Sequence, residues 1–469
     1  MKQIIKLFKE NGYQLWQVGG SVRDELMKIE PNDIDFATDA TPDEMIKTYS
    51  DNVPAMKRLR FTWYASENGR AHGTIVFKED DVDYEITTFR KDVSTDGRNA
   101  TVEFAKTIGE DLSRRDFTIN SIAKCMLTGE IVDPHNGQQD IKDKVIKFVG
   151  LAHQRIEEDK LRVIRAYRFL SQLGKGWKFI DSTTVNMMDM SKLDVLSKER
   201  IREELIKMFK HNPVFAIYHM PIRLLMYLFG EHIYGFDFHG HFHAENICNH
   251  SMFALASATR ISFDPLLRMS VFLHDVGKNL RDETNDWGYP IFIGHEIKGA
   301  EVVEKWMQEM KFSKKEIHYI TQLIRHHMVQ FTLLQKTASN KSIKRYVMKL
   351  GEELLNDMLV LNYCDRIANL AHTEVCEYQD YVENYTIMPR WREIREKDDC
   401  FKISDLKVDG HDIIKKGYDG KEIGMVLQEL FWRVENNLVD NIREDLLKII
   451  PTRGDKPPSE WFKRGNKDG

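Results

Sequence analysis

The sequence predicts a multidomain α+β protein whose first 150 residues form a head of mixed sheet and helices and whose remainder is all-α. Three observations predict it. At 469 residues the chain exceeds one compact core, because domains run to roughly 100–200 residues. Up to about residue 150, short β-rich runs alternate with helical stretches and with Gly, Pro and Asp turns. Beyond that point strand signals vanish and apolar residues recur at intervals of three and four.

Along the chain, Leu15, Trp16 and Val18 form an apolar run that ends at Gly19-Gly20 and leads into a helix. GTIVF from Gly73 and DYEITTF from Asp83 read as strands, because β-branched and aromatic residues suit a pleated, half-buried surface. Leu161, Ile164, Ala166 and Phe169, then Leu205, Met208 and Phe209, give residues 151–235 a helical period and define a helical neck. Residues 236–395 stay helical but concentrate histidine, with six of 17 lying between His239 and His295, which marks a separate helical domain. Residues 396–469 carry Gly410, Gly417, Gly420 and Gly424 between two amphipathic helices, and the polar tail RGDKPPSEWFKRGNKDG is expected to end in disorder.

Composition excludes several classes. No apolar run approaches the roughly 20 residues of a bilayer-spanning helix, and the start has no signal-peptide pattern, so no membrane association and a cytoplasmic location are expected. Five cysteines without CxxC spacing, Cys125, Cys248, Cys364, Cys376 and Cys400, argue against a disulfide framework and a thiolate zinc site. The net charge of −5 does not announce a polyanion binder, so local clusters must decide. Such clusters occur at Arg114-Arg115, from Arg155 to Arg168, from Lys198 to Lys210 and from Lys402 to Lys421. A monomer or homodimer is expected.

The first chemical constellation opens at Gly19-Gly20-Ser21-Val22-Arg23-Asp24, where a glycine turn into a helix could present backbone N–H groups to a phosphate. Asp33-Ile34-Asp35-Phe36 then places two carboxylates at i and i+2, on one face if the segment is a strand. Like charges so close call for a hard cation such as Mg²⁺, which takes oxygen ligands and leaves positions for triphosphate oxygens. Asp81, Asp83 and Glu85 alternate with apolar residues in a second strand and could supply a third carboxylate. Periodicity alone does not choose between Asp83 and Glu85.

GGSVRD, DIDFAT, YEITTFR and RRDFTINSIA, in that order, resemble the class II tRNA nucleotidyltransferase and bacterial poly(A) polymerase superfamily. The resemblance continues through VDPHNGQQDI, EEDKLRVIRAYRF and SKERIREEL. It implies a polymerase-β-type nucleotidyltransferase head in which a 3′ hydroxyl attacks the α-phosphate of a nucleoside triphosphate. By position, the resemblance makes Asp33 and Asp35 the Mg²⁺ carboxylates and matches Glu85 to the third acid. Gly19, Gly20, Arg23, Arg114 and Arg115 would hold the triphosphate, guanidinium forks suiting phosphate oxygens. Asp116, Asn120, Arg165 and Arg168 join the nucleotide-binding set. Asp159 and Arg162, at i and i+3 on a presumed helix, would read the base edge of CTP or ATP in place of a template. Lys160 departs from the proline frequent there and leaves the start of that helix open.

A second constellation comprises His250, His274-Asp275, His295, His326-His327 and Asp365, a series that resembles the HD phosphohydrolase signature. Imidazoles with carboxylates suit Mn²⁺, Co²⁺ or Ni²⁺. His250, His274, Asp275 and Asp365 are expected to hold one ion, with His295 and His326, preferred over His327, recruiting a second. His239, His241 and His243 are read as surface residues. Such a set suits phosphoester hydrolysis, for instance in repair of an RNA 3′ end. The glycines and lysines Lys415, Lys416 and Lys421 of the tail resemble a tRNA-contacting segment.

The expected function is template-independent addition of CCA to the 3′ end of tRNA from CTP and ATP. The alternatives are poly(A) or partial addition, or an HD phosphohydrolase with a binding-only head.

Overall fold

The computed structural model describes residues 1–31, 33–52, 61–95, 100–230, 247–280, 292–329, 333, 338–369, 376–397, 400–436 and 438–452. His239, His241 and His243, most of MKRLRF and the polar tail lie outside the described residues. The chain divides into two compact units. One comprises Met1–Gly235, Ser262–Met269 and Glu304–Ile317, and the other Phe236–Ile261, Ser270–Val303 and His318–Gly469. The expected boundary between head and neck, near residue 150, thus falls inside the first unit.

The first unit is built on a mixed sheet of seven strands, β1 (Trp16–Val18), β2 (Asp35–Thr38), β3 (Phe61–Tyr64), β4 (Thr74–Glu79), β5 (Val82–Thr88), β8 (Ala123–Cys125) and β9 (Ile131–Val132). A separate hairpin joins β6 (Arg90–Thr95) to β7 (Ala100–Phe104). The sheet order is β3-β4-β5-β2-β1-β8-β9. Within this sheet, among the described residues, β2 and β5 are the one parallel pair. β4 shows why these residues make a sheet: Ile75 and Phe77 alternate into the core and meet Phe8, Phe36, Phe61 and Ile86. The Phe61 and Phe77 rings stack at 5.5 Å. Helix Pro42–Asp51, begun by a capping box between Thr41 and Glu44 and by Pro42 at its first turn, packs on the same core.

Helices Leu161–Leu173 and Lys198–Lys210 follow, the second started by Ser197, whose hydroxyl accepts from Arg200 N. Buried Phe169, Leu205, Met208 and Phe209 lie on the faces the three-and-four spacing predicted. In the second unit, helix Ile247–Ile261 packs on helix Glu352–Asn369. Smaller apolar cores gather Ile343, Val347 and Trp391, and Ile413, Val426 and Leu430. Among the described residues none of the five cysteines forms a disulfide. Among the described residues no helix is long and apolar enough to cross a membrane.

Candidate active site and metal cluster

The register of the sheet decides which acids meet. β2 pairs parallel with β5 in the register Asp35↔Glu85 and antiparallel with β1 in the register Val18↔Asp35. Asp83, two residues earlier, lies past the first paired residue of β2 and accepts from the Tyr64 hydroxyl at 2.8 Å. Asp33 is not on the strand, contrary to the i, i+2 expectation. β1 ends at Val18, Gly19 turns away with φ +74, and no backbone partner continues the ladder to Asp33. Asp33 still lines the same hollow as Asp35.

Burial raises the Asp35 carboxyl above the usual carboxylate range, Arg115 opposes the rise and Asp33 adds to it. Burial likewise raises Glu85, and Asp35 raises it further against the pull of Arg90. Burial and mutual repulsion outweigh the pull of Arg115 and Arg90, and a hard divalent cation would offset the remaining charge of the carboxylates. The donor set is therefore suited to such an ion. The three carboxylates do not all lie within 4.8 Å of one another, whereas both histidine sets described below do.

Two adjoining hollows, each of about 330 Å³, share Asp35, Arg115, Asp116 and Arg165. One adds Glu85, Arg90, Arg114, Asp159 and Arg162; the other adds Gly19, Gly20, Arg23, Asp33, Asn120 and Arg168. Gly19 needs both its left-handed backbone and its missing side chain, since a Cβ there would stand 3.0 Å from Arg115 Nη1. Arg23 is buried and donates to Asp24 Oδ1 and, at 2.8 Å, to Asn120 Oδ1. Asn120 is carried by the short turn Thr118–Asn120, and Gly137 fits against it because any Cβ would meet Thr118 O at 2.2 Å. This accounts for the glycine of VDPHNGQQDI.

Arg114 and Arg115 are not an exposed pair on a helix. Both donate at 3.0 Å to Asp111, one carboxylate oxygen each. Asp111 is buried, and although burial raises its pKa, the two guanidiniums lower it overall. Asp116 accepts from Arg165 Nε at 2.8 Å; burial alone would push it up, but Arg165 holds it at about 2. Glu204 accepts from Arg168 Nε at 2.9 Å and faces Arg165 Nη1 at 3.6 Å. Arg168 in turn lies 3.5 Å over the Phe169 ring.

Asp159 and Arg162 do not share a helix. Helix Ala152–Glu158 ends at Asp159, which is extended with φ −149 and ψ 104, and the next helix begins at Leu161. Asp159 Oδ1 accepts from Leu161 N at 3.1 Å and Oδ2 from Arg200 Nη2 at 2.8 Å. Arg162 donates to Glu158 Oε2 at 2.6 Å and to Arg114 O at 3.0 Å. Both face the first hollow, each held by other partners. Asp111, Glu158, Arg200 and Glu204 were missed in the sequence. The available signal was their place three or four residues from an arginine in the motifs already singled out, or inside SKERIREEL.

The histidine cluster forms two sets sharing Asp275: His250, His274, Asp275 and Asp365, and Asp275, His295 and His327. The Nδ1 atoms of His274, His295 and His327 lie 2.7–2.8 Å from the carbonyl oxygen three residues earlier, an arrangement that turns Nε2 toward the cluster. His274 Nε2 and Asp275 Oδ1 are buried inside the cluster, with His295 Nε2 at 3.1 Å from Asp275 Oδ1 and His274 Nε2 at 3.4 Å from Asp275 Oδ2. Burial would lower His274, but Asp275 and Asp365 raise it to about 10. A divalent cation can replace protons in offsetting those carboxylates, so the residues fit one. His326 is not part of the cluster: its Nε2 lies 3.1 Å from Gln322 Oε1. Adjacent residues at a helix end point about 100° apart, so one of the pair faces inward, and it is His327. Gly277 lets the segment after Asp275 approach, since a Cβ would meet His295 O at 2.0 Å.

The sequence matches the poly A polymerase head domain family over residues 15–147 and the HD domain family over residues 248–370. Nucleotidyltransferase and HD domains both use divalent metal ions. The human mitochondrial CCA tRNA nucleotidyltransferase 1 is 30% identical over 454 residues, covering 96% of this chain and 89% of that protein. A CCA-adding enzyme of Staphylococcus aureus is 39% identical over 213 residues, 45% of this chain and 49% of that protein. In fold, the chain is similar to the Bacillus stearothermophilus CCA-adding enzyme in complex with CTP, with a TM-score of 0.61, 23% identity and coverage of 95% and 94%. It is also similar to the Thermotoga maritima CCA-adding enzyme complexed with tRNA, with a TM-score of 0.54, 18% identity and coverage of 95% and 93%. Ordered head motifs, a matching fold and near full-length similarity agree: the chain belongs to the CCA-adding tRNA nucleotidyltransferase family.

Proposed function

We propose that this protein adds CCA to the 3′ end of tRNA from CTP and ATP, with Asp33, Asp35 and Glu85 holding Mg²⁺ in the head. The observation that carries it is the Asp35↔Glu85 register, which sets both acids in the lining of a cleft with Arg114, Arg115, Arg162 and Arg165. When bound, the ions lower the charge barrier to joining a hydroxyl and a triphosphate. Arg114 and Arg115, anchored by Asp111, and the Gly19-Gly20 turn receive the triphosphate. Asp159 and Arg162 present an acceptor and donors to the base edge, which suits the amino group and ring nitrogen of cytosine and adenine. Residues 1–150, 151–235, 236–395 and 396–469 serve as head, neck, histidine domain and tail. A cytoplasmic monomer or homodimer accords with this reading. Transcripts ending before CCA, given CTP, ATP or both and then sequenced, are expected to gain C, C and A and stop. Runs of A would support poly(A) addition instead, and no addition would refute both.

A second reading is favoured by the buried histidine cluster with its inward Nε2 atoms: a phosphohydrolase acting with Mn²⁺, Co²⁺ or Ni²⁺, with His250, His274, Asp275 and Asp365 holding one ion and His295 and His327 a second. His327→Ala is expected to lower metal content, read by elemental analysis, while His326→Ala leaves it unchanged. Absence of hydrolysis of 2′,3′-cyclic and 2′-phosphate ends with all three metals would remove the hydrolytic reading.

A further inference from the structure

The acceptor proposed to read the base lies at the junction of two helices. Asp159 is extended between two helices, its N–H donating to Arg155 O at 3.3 Å and its carbonyl accepting from Arg162 N at 3.1 Å, bonds that place the backbone and leave the carboxylate to be oriented by its own contacts. Two contacts orient the carboxylate. Oδ1 accepts from Leu161 N at 3.1 Å, the first residue of the following helix. Oδ2 accepts from Arg200 Nη2 at 2.8 Å, an ion pair reaching 41 residues along the chain to helix Lys198–Lys210. Arg200 itself is placed by the cap of that helix, since its N–H donates to the Ser197 hydroxyl at 3.4 Å.

From this geometry we infer that Arg200 is a positioning residue for base selection: its guanidinium keeps the Asp159 carboxylate turned toward the cleft as an acceptor. The inference rests on the reading of Asp159 and Arg162 as the base-selecting pair. An ionised carboxylate only accepts. It therefore favours cytosine and adenine, whose amino groups donate, over uracil and guanine, which present a carbonyl at the corresponding place. Arg162 sits three residues on and keeps its own partners, Glu158 Oε2 at 2.6 Å and Arg114 O at 3.0 Å. With Arg200 present, neither member of the pair is drawn onto the other. Without Arg200, only the contact to Leu161 N remains among those described above, and the acceptor is free to rotate.

The test compares Arg200→Ala, Arg200→Lys and Asp159→Ala with the wild type in single-turnover addition. Transcripts ending before CCA receive CTP or UTP, and transcripts ending in CC receive ATP or GTP. Arg200→Ala is expected to raise the KM for CTP and ATP more than it lowers the rate at saturation. The preference over UTP and GTP should fall roughly ten- to hundredfold, the range of a hydrogen bond to a charged group. Arg200→Lys should recover part of it, because a lysine restores charge but not the fork. Equal loss with all four nucleotides, or unchanged preference in Arg200→Ala while Asp159→Ala loses it, overturns the role of Arg200. Unchanged preference in Asp159→Ala overturns the underlying reading as well.

Discussion

Glu204→Gln separates a buried ion pair from an exposed one within the same molecule. The Glu204 side chain is 4% exposed and its partner Arg168 is 10% exposed, with the Arg168 Nε to Glu204 Oε2 distance at 2.9 Å. Burial lowers the pKa of Arg168, and Glu204 is the first charge that opposes this. Removing one partner of such a pair costs about 3–5 kcal/mol. Glutamine keeps the volume and one acceptor oxygen, and the other partners, Arg165 at 32% and Lys207 at 56% exposed, can turn to water. The expected cost is therefore about 2–3 kcal/mol. The pair Arg392–Glu383, at 2.7 Å with side chains 48% and 37% exposed, provides the contrast. Glu383→Gln should cost about 0–1 kcal/mol. A chain of several units has no single unfolding free energy, so the assay is amide hydrogen exchange of helices Leu161–Leu173 and Lys198–Lys210. Exchange there should quicken by roughly 30- to 150-fold in Glu204→Gln, with a parallel rise in nucleotide KM because Arg165 and Arg168 line the cleft. Exchange within about threefold of the wild type, or an equal change around Glu383 in Glu383→Gln, would refute the burial reasoning.

Two further perturbations act elsewhere. Gly277→Ala forces a Cβ to within 2.0 Å of His295 O, so metal retention and the protection of helix His295–Glu309 should fall together; unchanged metal content by elemental analysis would contradict the close approach. Asp116→Asn should show a pH signature. The folded pKa of Asp116 is depressed to about 2, so its contribution, about 2 kcal/mol, is full above the unfolded value near 3.9 and is lost as pH falls through about 2. The difference in hydrogen-exchange protection of helix Leu161–Leu173 between wild type and variant should be constant above about pH 5 and narrow as pH falls from about 4 to about 2. A gap independent of pH would assign the stabilisation to packing.

How much was legible in the sequence depends on whether a feature is local. The apolar spacing of Leu161 to Phe169 and the glycine turn at Gly19 can be read from neighbours alone, and both occupy the elements so predicted. Spacing alone could not tell Asp83 from Glu85, because both point to one face of β5; the family resemblance favoured Glu85, and the pairing with β2 at Asp35↔Glu85 is a long-range fact. Asp33 was read as a strand residue because the i, i+2 pattern takes no account of where β1 runs out. Asp159 and Arg162 looked like a helical i, i+3 pair, yet the chain breaks at Asp159, and Arg200, 41 residues on, holds its carboxylate. His326 and His327 differ only in helical phase, which is fixed by packing rather than by composition. Asp111 and Glu204 stand near arginines in the sequence but were not marked as buried anchors for a related reason: acids near arginines usually form solvated pairs, and burial is what makes these two different.

Asp35→Ala, assayed with Mg²⁺ on a transcript ending before CCA, tests the central claim most directly. Nucleotide addition should fall below detection while metal content at the histidine cluster stays at the wild-type level. Addition at an undiminished rate would place the chemistry away from the paired strands β2 and β5 and contradict the account.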